Sequence, residues 1–476
     1  MNIAEVWQQG ITGKGVVVAV VDDGIQRSHP DLKDNFDPSA SLDVVELDEV
    51  PDPVGENVGH GNRCAGVIAA SARNGECGVG VSFNAKLGGI RLFEDDHFDS
   101  TDAMEALALQ HNQQHIDIYS CSWGPEDNGW TMDGPGQLTK DQFTEGTRTV
   151  QSKHSLLFRN SRNLMRRIQV YRNLSWRDVQ HLIVHSSNSD VPRSDDWMKN
   201  AAGIWVSNFF GFGLMDAAAL VKYAASWRTV PKQMKCEILQ NKVYRSFSEY
   251  LEVNLTVSEE YCGQENIIRY LEHVVVSLDV SFSRRGYLEG FVTSPSGTTS
   301  HILPYRPNDL IASDIKGWPI LSLHFWGEKP QGTWRLRLQN HYPHYGFSGY
   351  LVNWTLAIYG TATDPLRNNT HVRGFFRNTS TTRIKTERDN ERETSTPAVS
   401  QTSDTQHEGF GQIVIAGIGM SCFVVLLVIC VVVIYKTGYI SCGRGTTGRK
   451  LLKEASLSEQ SEPLHDVDMR KMDTVV

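Results

Sequence analysis

The stretch VVVAVVDDGIQRSHPDL, Val16 to Leu32, decides the fold. Six β-branched or small residues in a row are the pattern of a strand buried on both faces of a parallel sheet, and this one ends in two carboxylates, Asp22 and Asp23. Open α/β sheets place their working residues at the C-terminal ends of strands. Downstream, GHGNRCAG sets His60 between two glycines just ahead of the small-residue run CAGVIAASA, which predicts a helix opened by His60 and packed closely on the sheet. Working outward, VVVAVV, CAGVIAASA, AKLGGIRLF, DAMEALALQH and IDIYSCSW alternate strand-like and helical patterns over residues 1–138, as βαβ units do.

Past residue 138 the composition shifts. Residues 139–172 carry nine Lys, Arg and His against two acids, with no clear strand alternation. NLSWRDVQHLIVHSS, from Asn173, reads as a helix with Ser175 as its cap and Asp178 at capping-box spacing; helical pattern returns at 206–227, and this part closes near residue 230. From 231 to 362 the period changes to two, in HVVVSLDV, RGYLEGFVTS, WPILSLHFWG, GTWRLRLQN and SGYLVNWTLAIYG, with Gly and Pro at the turns: an all-β sandwich. Residues 363–411 are polar and apolar-poor, the composition of a disordered stalk.

The segment 412–435 holds a 23-residue uncharged run, IVIAGIGMSCFVVLLVICVVVIY, long enough for one transmembrane helix. Lys436, Arg444, Arg449, Lys450 and Lys453 follow it, so the tail 436–476 is expected on the cytosolic side and everything before it in a lumen. Sequons at Asn173, Asn254, Asn353, Asn368 and Asn378 all fall on the lumenal side, with Asn173, beside a helix start, the poorest acceptor. The N-terminal residues lack the charged and apolar regions of a signal peptide. A net charge of -9 and a pI near 6.0 argue against a nucleic-acid partner, which selects for concentrated positive charge. The end Asp473-Thr474-Val475-Val476 has the Thr-x-Val form that adds a strand to PDZ domains.

The Asp22 and His60 segments resemble the kexin/furin-type proprotein convertases, subtilisin-like serine proteases that cut after paired basic residues, and LEHVVVSLDVSFSRRGYLEGFVTSPSGT, Leu271 to Thr298, resembles their P domain. The resemblance implies an incomplete subtilisin-like α/β catalytic domain plus an all-β P domain. It implies calcium as cofactor, proprotein substrates with basic cleavage sites, and a Golgi or endosomal type I membrane protein. Asp22 and His60 become the orienting acid and general base of a catalytic triad. Asp23, Glu105, Asp127 and Asp133 become carboxylates for basic side chains of the substrate. Asp31, Asn74 and Gly78 match a principal calcium site lacking one aspartate, and Asp127 a second. Cys236 and Cys262 match a P-domain disulfide, Cys77 a half-cystine whose partner is missing, and Cys64 a buried free thiol.

One part of the pattern has no counterpart. The oxyanion asparagine of ASGNGG and the serine of GTSAAAP occur nowhere in the chain. Ser152, Ser155 and Ser161 have long or basic neighbours instead of the small-residue helix that a nucleophile needs, and SPSGTTSH, Ser294 to His301, lies inside the β module. The reading is therefore a serine-endopeptidase family member inactive as given; the alternatives are a membrane-tethered binding module or a misassembled gene product.

Overall fold

The structure, a computed structural model, describes residues 1–372 except 56–57, 77, 95–98, 150–155, 159–173, 192, 240–243 and 264–266. Residues 373–411 of the stalk, the apolar run 413–435, the tail with its Thr-x-Val end, Cys77, and the sequons at Asn173 and Asn378 lie outside the described residues. The first residues of the expected stalk are ordered against the α/β part: Val372 is buried with Leu182 and Trp227, and Asn369 Nδ2 donates to the Arg228 carbonyl at 2.9 Å. Among the described residues no helix is long and apolar enough to cross a membrane.

Five strands form a parallel sheet in the order β2 (Leu42–Asp43), β3 (Lys86–Arg91), β1 (Val17–Asp22), β4 (Ile118–Cys121) and β5 (Leu156–Phe158). β1 is central because its alternate side chains have apolar partners on both faces. Val18 and Val20 pack with Cys64, Ala65, Ile68 and Ala69 of helix α2 (His60–Ala69), which follows α1 (Ile3–Gln8). Ala19 and Val21 pack with Ala108 and Leu109 of α3 (Asp102–Gln110). The small residues in CAGVIAASA let α2 approach the sheet closely.

The interval expected to lack strand pattern contributes two elements. Helix α4 (Gln137–Thr149) leads into β5, which pairs in parallel with β4 from Ile118↔Leu156 to Ser120↔Phe158. The start of α4 is fixed from a distance: the Asp102 carboxylate accepts from the Leu138 N–H at 2.9 Å and the Thr139 N–H at 2.8 Å. Those hydrogen bonds hold the carboxyl below its ordinary pKa. A Cβ on Gly136 would lie 2.2 Å from that carboxyl carbon, so glycine is required there.

Helix α5 (Trp176–Ser186) starts in a reciprocal capping box between Ser175 and Asp178. Two short ribbons follow, β6 (Ser187–Asn188) with β9 (Leu214–Met215) and β7 (Met198–Lys199) with β8 (Trp205–Val206), then α6 (Ala217–Ala224). The rest is a sandwich. One sheet orders β10 (Met234–Leu239), β18 (Gly349–Thr361), β13 (Tyr270–Phe282) and β16 (Ile315–Ser322), with β11 (Arg245–Phe247) also on β18. The other orders β12 (Tyr250–Val257), β17 (Gly332–Asn340), β14 (Leu288–Thr293) and β15 (Thr299–Leu303). β12 alternates exposed and buried at every residue, and the two inner faces meet around Trp334 and Trp354. Cys236 and Cys262 are disulfide-bonded, with Cα atoms 5.5 Å apart.

Sandwich and α/β part meet in a polar seam. A register shift between Leu271 and His273 leaves Glu272 as the bulged residue of β13 and aims it at α5. There it accepts from the Arg177 guanidinium on both oxygens, from Gln233 Nε2 at 2.6 Å, and faces His181 Nε2 at 2.8 Å. Burial alone would raise this carboxyl, but hydrogen bonds from His181 and Arg177 prevail and bring it down to about 2. Nearby, Asn200 Nδ2 donates to the carbonyls of His324 and Trp326, both at 2.9 Å. Burial pushes His273 and His324 down to about 4.

Candidate active site

Asp22 ends β1, fully buried, and Asp23 follows it inward. Asp22 Oδ1 accepts from the Asp23 N–H at 2.9 Å. Asp23 directs its own carboxylate at the start of α2: Oδ2 accepts from the Gly59 N–H at 2.6 Å and the His60 N–H at 2.8 Å, and Oδ1 from the Gly61 N–H at 2.6 Å. The residue ahead of α2, Gly59, has no side chain with which to cap, so a carboxylate from the neighbouring strand does that work. Two glycines make the approach feasible. A Cβ on Gly61 would lie 2.3 Å from the Gly24 carbonyl, and Gly24 itself has φ +101 with a Cβ position 2.5 Å from the Pro51 carbonyl. Asn62 adds a further tie, its Oδ1 accepting from the Gln26 N–H at 2.7 Å.

The consequence is that His60 can point only at Asp22. Its Nδ1 lies 2.8 Å from Asp22 Oδ1 and 3.0 Å from Oδ2. Cys64, one helical turn on, places Sγ 3.8 Å from His60 Nε2 and 4.0 Å from Nδ1. The bond to Asp22, then the contact with Cys64, outweigh burial and raise His60 from 6.5 to about 10, so the ring is an imidazolium at neutral pH. The imidazole keeps 31% of its surface open while Asp22 has none. The pair thus has one solvent-facing partner and one hidden one, the arrangement in which a buried carboxylate fixes tautomer and orientation. Trp123 seals the floor, with Nε1 donating to the Val21 carbonyl at 2.9 Å and its ring edge-on to Phe93 at 5.4 Å.

The remaining expected site residues are scattered. Asp23 is committed to the helix start and is 2% exposed, so in this structure it positions His60 instead of facing a substrate cation. Glu105 lies on α3 and accepts from Ser100 Oγ at 2.8 Å and Thr139 Oγ1 at 3.2 Å. Asp127 and Asp133 are exposed on the loop after β4, the latter accepting from the Gly134 N–H at 2.7 Å. Asp31 and Asn74 do meet, but Asn74 turns its amide N–H toward Asp31 Oδ1 at 2.6 Å while its carbonyl oxygen accepts from Glu76. Gly78 has φ +101, with open space where a Cβ would stand. Calcium takes six to eight oxygens, and Asp31 and Asn74 are two side chains of the kind that would hold it. Among the described residues, the group of three ligand-type side chains close enough to share an ion is Asp22, His60 and Cys64, already bonded as above. Of the sequons, Asn254 and Asn368 are exposed, while Asn353 is half-buried with its Oδ1 enclosed.

An aspartate at the end of a central parallel strand, bonded to a histidine that opens the next helix, is one sequence pattern as well as one geometry. The profile described as "Subtilase family" matches residues 13–159, and "Proprotein convertase P-domain" matches residues 271–358. The chain belongs to the furin-like subtilases that carry a P domain. It is 34% identical to Furin of Rattus norvegicus over 77% of its own length and 56% of that protein's. To Furin-like protease 1 of Drosophila melanogaster it is 34% identical over 76% of its length and 35% of the relative's. The chain therefore spans between about a third and just over half of these relatives. In fold it is similar to a serine protease from Aeromonas sobria, solved in complex with a chaperone: TM-score 0.62, 18% identity, covering 74% of this chain and 89% of that one.

The Subtilase match runs to residue 159 and so takes in α4 and β5, which overlap the segment 139–172 that the sequence left unmatched. Sequence reasoning also missed the helix-capping role of Asp23 and the seam at Glu272. For the first, a carboxylate next to Asp22 and a cap-less Gly59 were the available signal; the second had none, since its partners lie 95 residues apart.

Proposed function

We propose that this chain is a convertase-type protein that binds basic segments of secretory proproteins without hydrolysing them, held at a membrane by residues 413–435. In a serine endopeptidase, histidine takes the hydroxyl proton, aspartate stabilises the resulting cation, and donors stabilise the oxyanion. Asp22 and His60 hold the geometry of the first two roles at 2.8 Å. The observation that carries the reading is in the sequence: neither the ASGNGG-like nor the GTSAAAP-like string of the family occurs in the chain. Loss of the serine from a subtilisin removes on the order of 10⁶ of the rate.

Binding rests on the exposed Asp127 and Asp133, which form no ion pair among the described residues and offer negative charge to Lys and Arg side chains, within a chain of net charge -9. Asp31 and Asn74 are the side chains that would hold calcium, and no step passes through a metal. The uncharged run 413–435 and the cations after it support a single-pass type I topology in the Golgi or endosomal pathway, and the Thr-x-Val end a PDZ partner. Labelling the purified full-length chain with a fluorophosphonate, followed by peptide mapping, tests the catalytic half. No serine adduct is expected; stoichiometric capture on any serine overturns it.

A further inference from the structure

The loop that presents Asp127 and Asp133 does not stand on the α/β part alone. Its turn is built by Asn128, whose Oδ1 accepts from the N–H groups of Trp130 at 3.0 Å and Thr131 at 2.9 Å. Its apex is then held by the sandwich. Arg285 Nη2 donates to the Trp130 carbonyl at 2.7 Å, and Met132 packs against the sandwich core.

Arg285 is itself rigid. It is buried, and Asp309, with no exposed surface, receives its Nε at 2.7 Å and its Nη2 at 3.0 Å. Arg306 closes the group, donating to Asp309 Oδ2 at 3.2 Å and to the Arg285 carbonyl at 3.1 Å. A fork held bidentately has little freedom left to lose, so its remaining N–H fixes the Trp130 carbonyl in place. Trp130 lies midway between the two exposed carboxylates, at 127 and 133.

We propose that Arg285 is a positioning residue for recognition of basic segments: the P domain sets the Asp127–Asp133 loop through the Trp130 carbonyl. This deepens the reading above and rests on it. The gain is pre-organisation, since a loop already ordered costs less to order on binding. Arg285 makes no contact with ligand.

The test is fluorescence anisotropy of fluorescein-labelled hexaarginine with the full-length chain in detergent, thermal midpoints being recorded alongside. Asp127→Asn with Asp133→Asn should weaken binding. Arg285→Met should weaken it roughly three- to tenfold, the scale of one ordinary hydrogen bond. The triple variant should bind no more weakly than the Asp127→Asn/Asp133→Asn double, because Arg285 acts only through those carboxylates. Should Arg285→Met fail to fold, Arg285→Lys, which keeps a charge beside Asp309 but loses the fork, carries the same expectation. Wild-type affinity in a folded Arg285 variant, or full independent losses in the triple, overturns the proposal while leaving basic recognition standing. Unchanged binding in the carboxylate double variant overturns both.

Discussion

Two buried carboxylates in this molecule each hold a histidine at 2.8 Å, one ring open to solvent and the other enclosed. At the end of β1, Asp22 has His60 as its cation, and the proton settles on a ring that is partly open to solvent. At the seam, Glu272 is shared among Arg177, His181 and Gln233, and against burial the hydrogen bonds from His181 and Arg177 bring its carboxyl down to about 2. The same pair of groups therefore makes a solvent-facing corner in one place and a structural joint in the other. What separates them is the permanent guanidinium and the burial of the ring: His181 is 1% exposed, His60 31%. A site reads as chemical when one partner keeps a path to solvent, and as cement when both are enclosed.

The largest way to break that contrast is to strip the seam. Glu272→Gln leaves the Arg177 charge buried without a counter-ion and should cost about 3–5 kcal/mol in a denaturant titration. A loss below about 1 kcal/mol would mean the joint is not structural. At the corner, Asp22→Asn should return His60 from about 10 toward 6.5, followed by NMR titration of the ring; a ring that still titrates near 10 would assign the shift to Cys64 instead. Because His60 is raised in the folded state, its contribution to stability is complete below pH 6.5 and disappears as pH climbs through about 10.

A smaller effect is expected from Gly61→Ala. The added methyl meets the Gly24 carbonyl at 2.3 Å, so the start of α2 must shift, at about 1–3 kcal/mol. His60 should then lose part of its raised pKa, and an unmoved titration would show that the helix start does not aim the ring. The smallest concerns acid. His273 and His324, lowered to about 4 by burial, stay neutral when folded while the unfolded chain takes up protons below 6.5. Stability should therefore fall as pH drops from about 6.5 toward 4, and His273→Phe should flatten that slope in thermal scans. A slope unchanged by the substitution would place the acid sensitivity elsewhere.

Much of the fold was readable because its signals are local. The run before Asp22, the small residues after His60 and the period-two strands from 231 onward each declare their element within a dozen residues, and β1, α2 and the sandwich follow. The pair Asp22 and His60 was legible for the same reason: each sits at a boundary that its own neighbours define. Helix α4 and β5 were not, because the start of α4 is capped by Asp102, 36 residues upstream, and β5 is only three residues long. Asp23 read in sequence as a carboxylate facing basic side chains of the substrate, and only the positions of three N–H groups reveal it as the cap of another element. The seam and the Arg285 contact to Trp130 join residues 95 and 155 apart, a distance no periodicity encodes.

The central claim is that the acid and the base remain while the nucleophile they would serve is missing. The most direct measurement is turnover of a fluorogenic peptide ending in paired basic residues, by the full-length chain and by its His60→Ala variant in parallel. Equal background rates are the predicted result. A rate that depends on His60 would contradict the account.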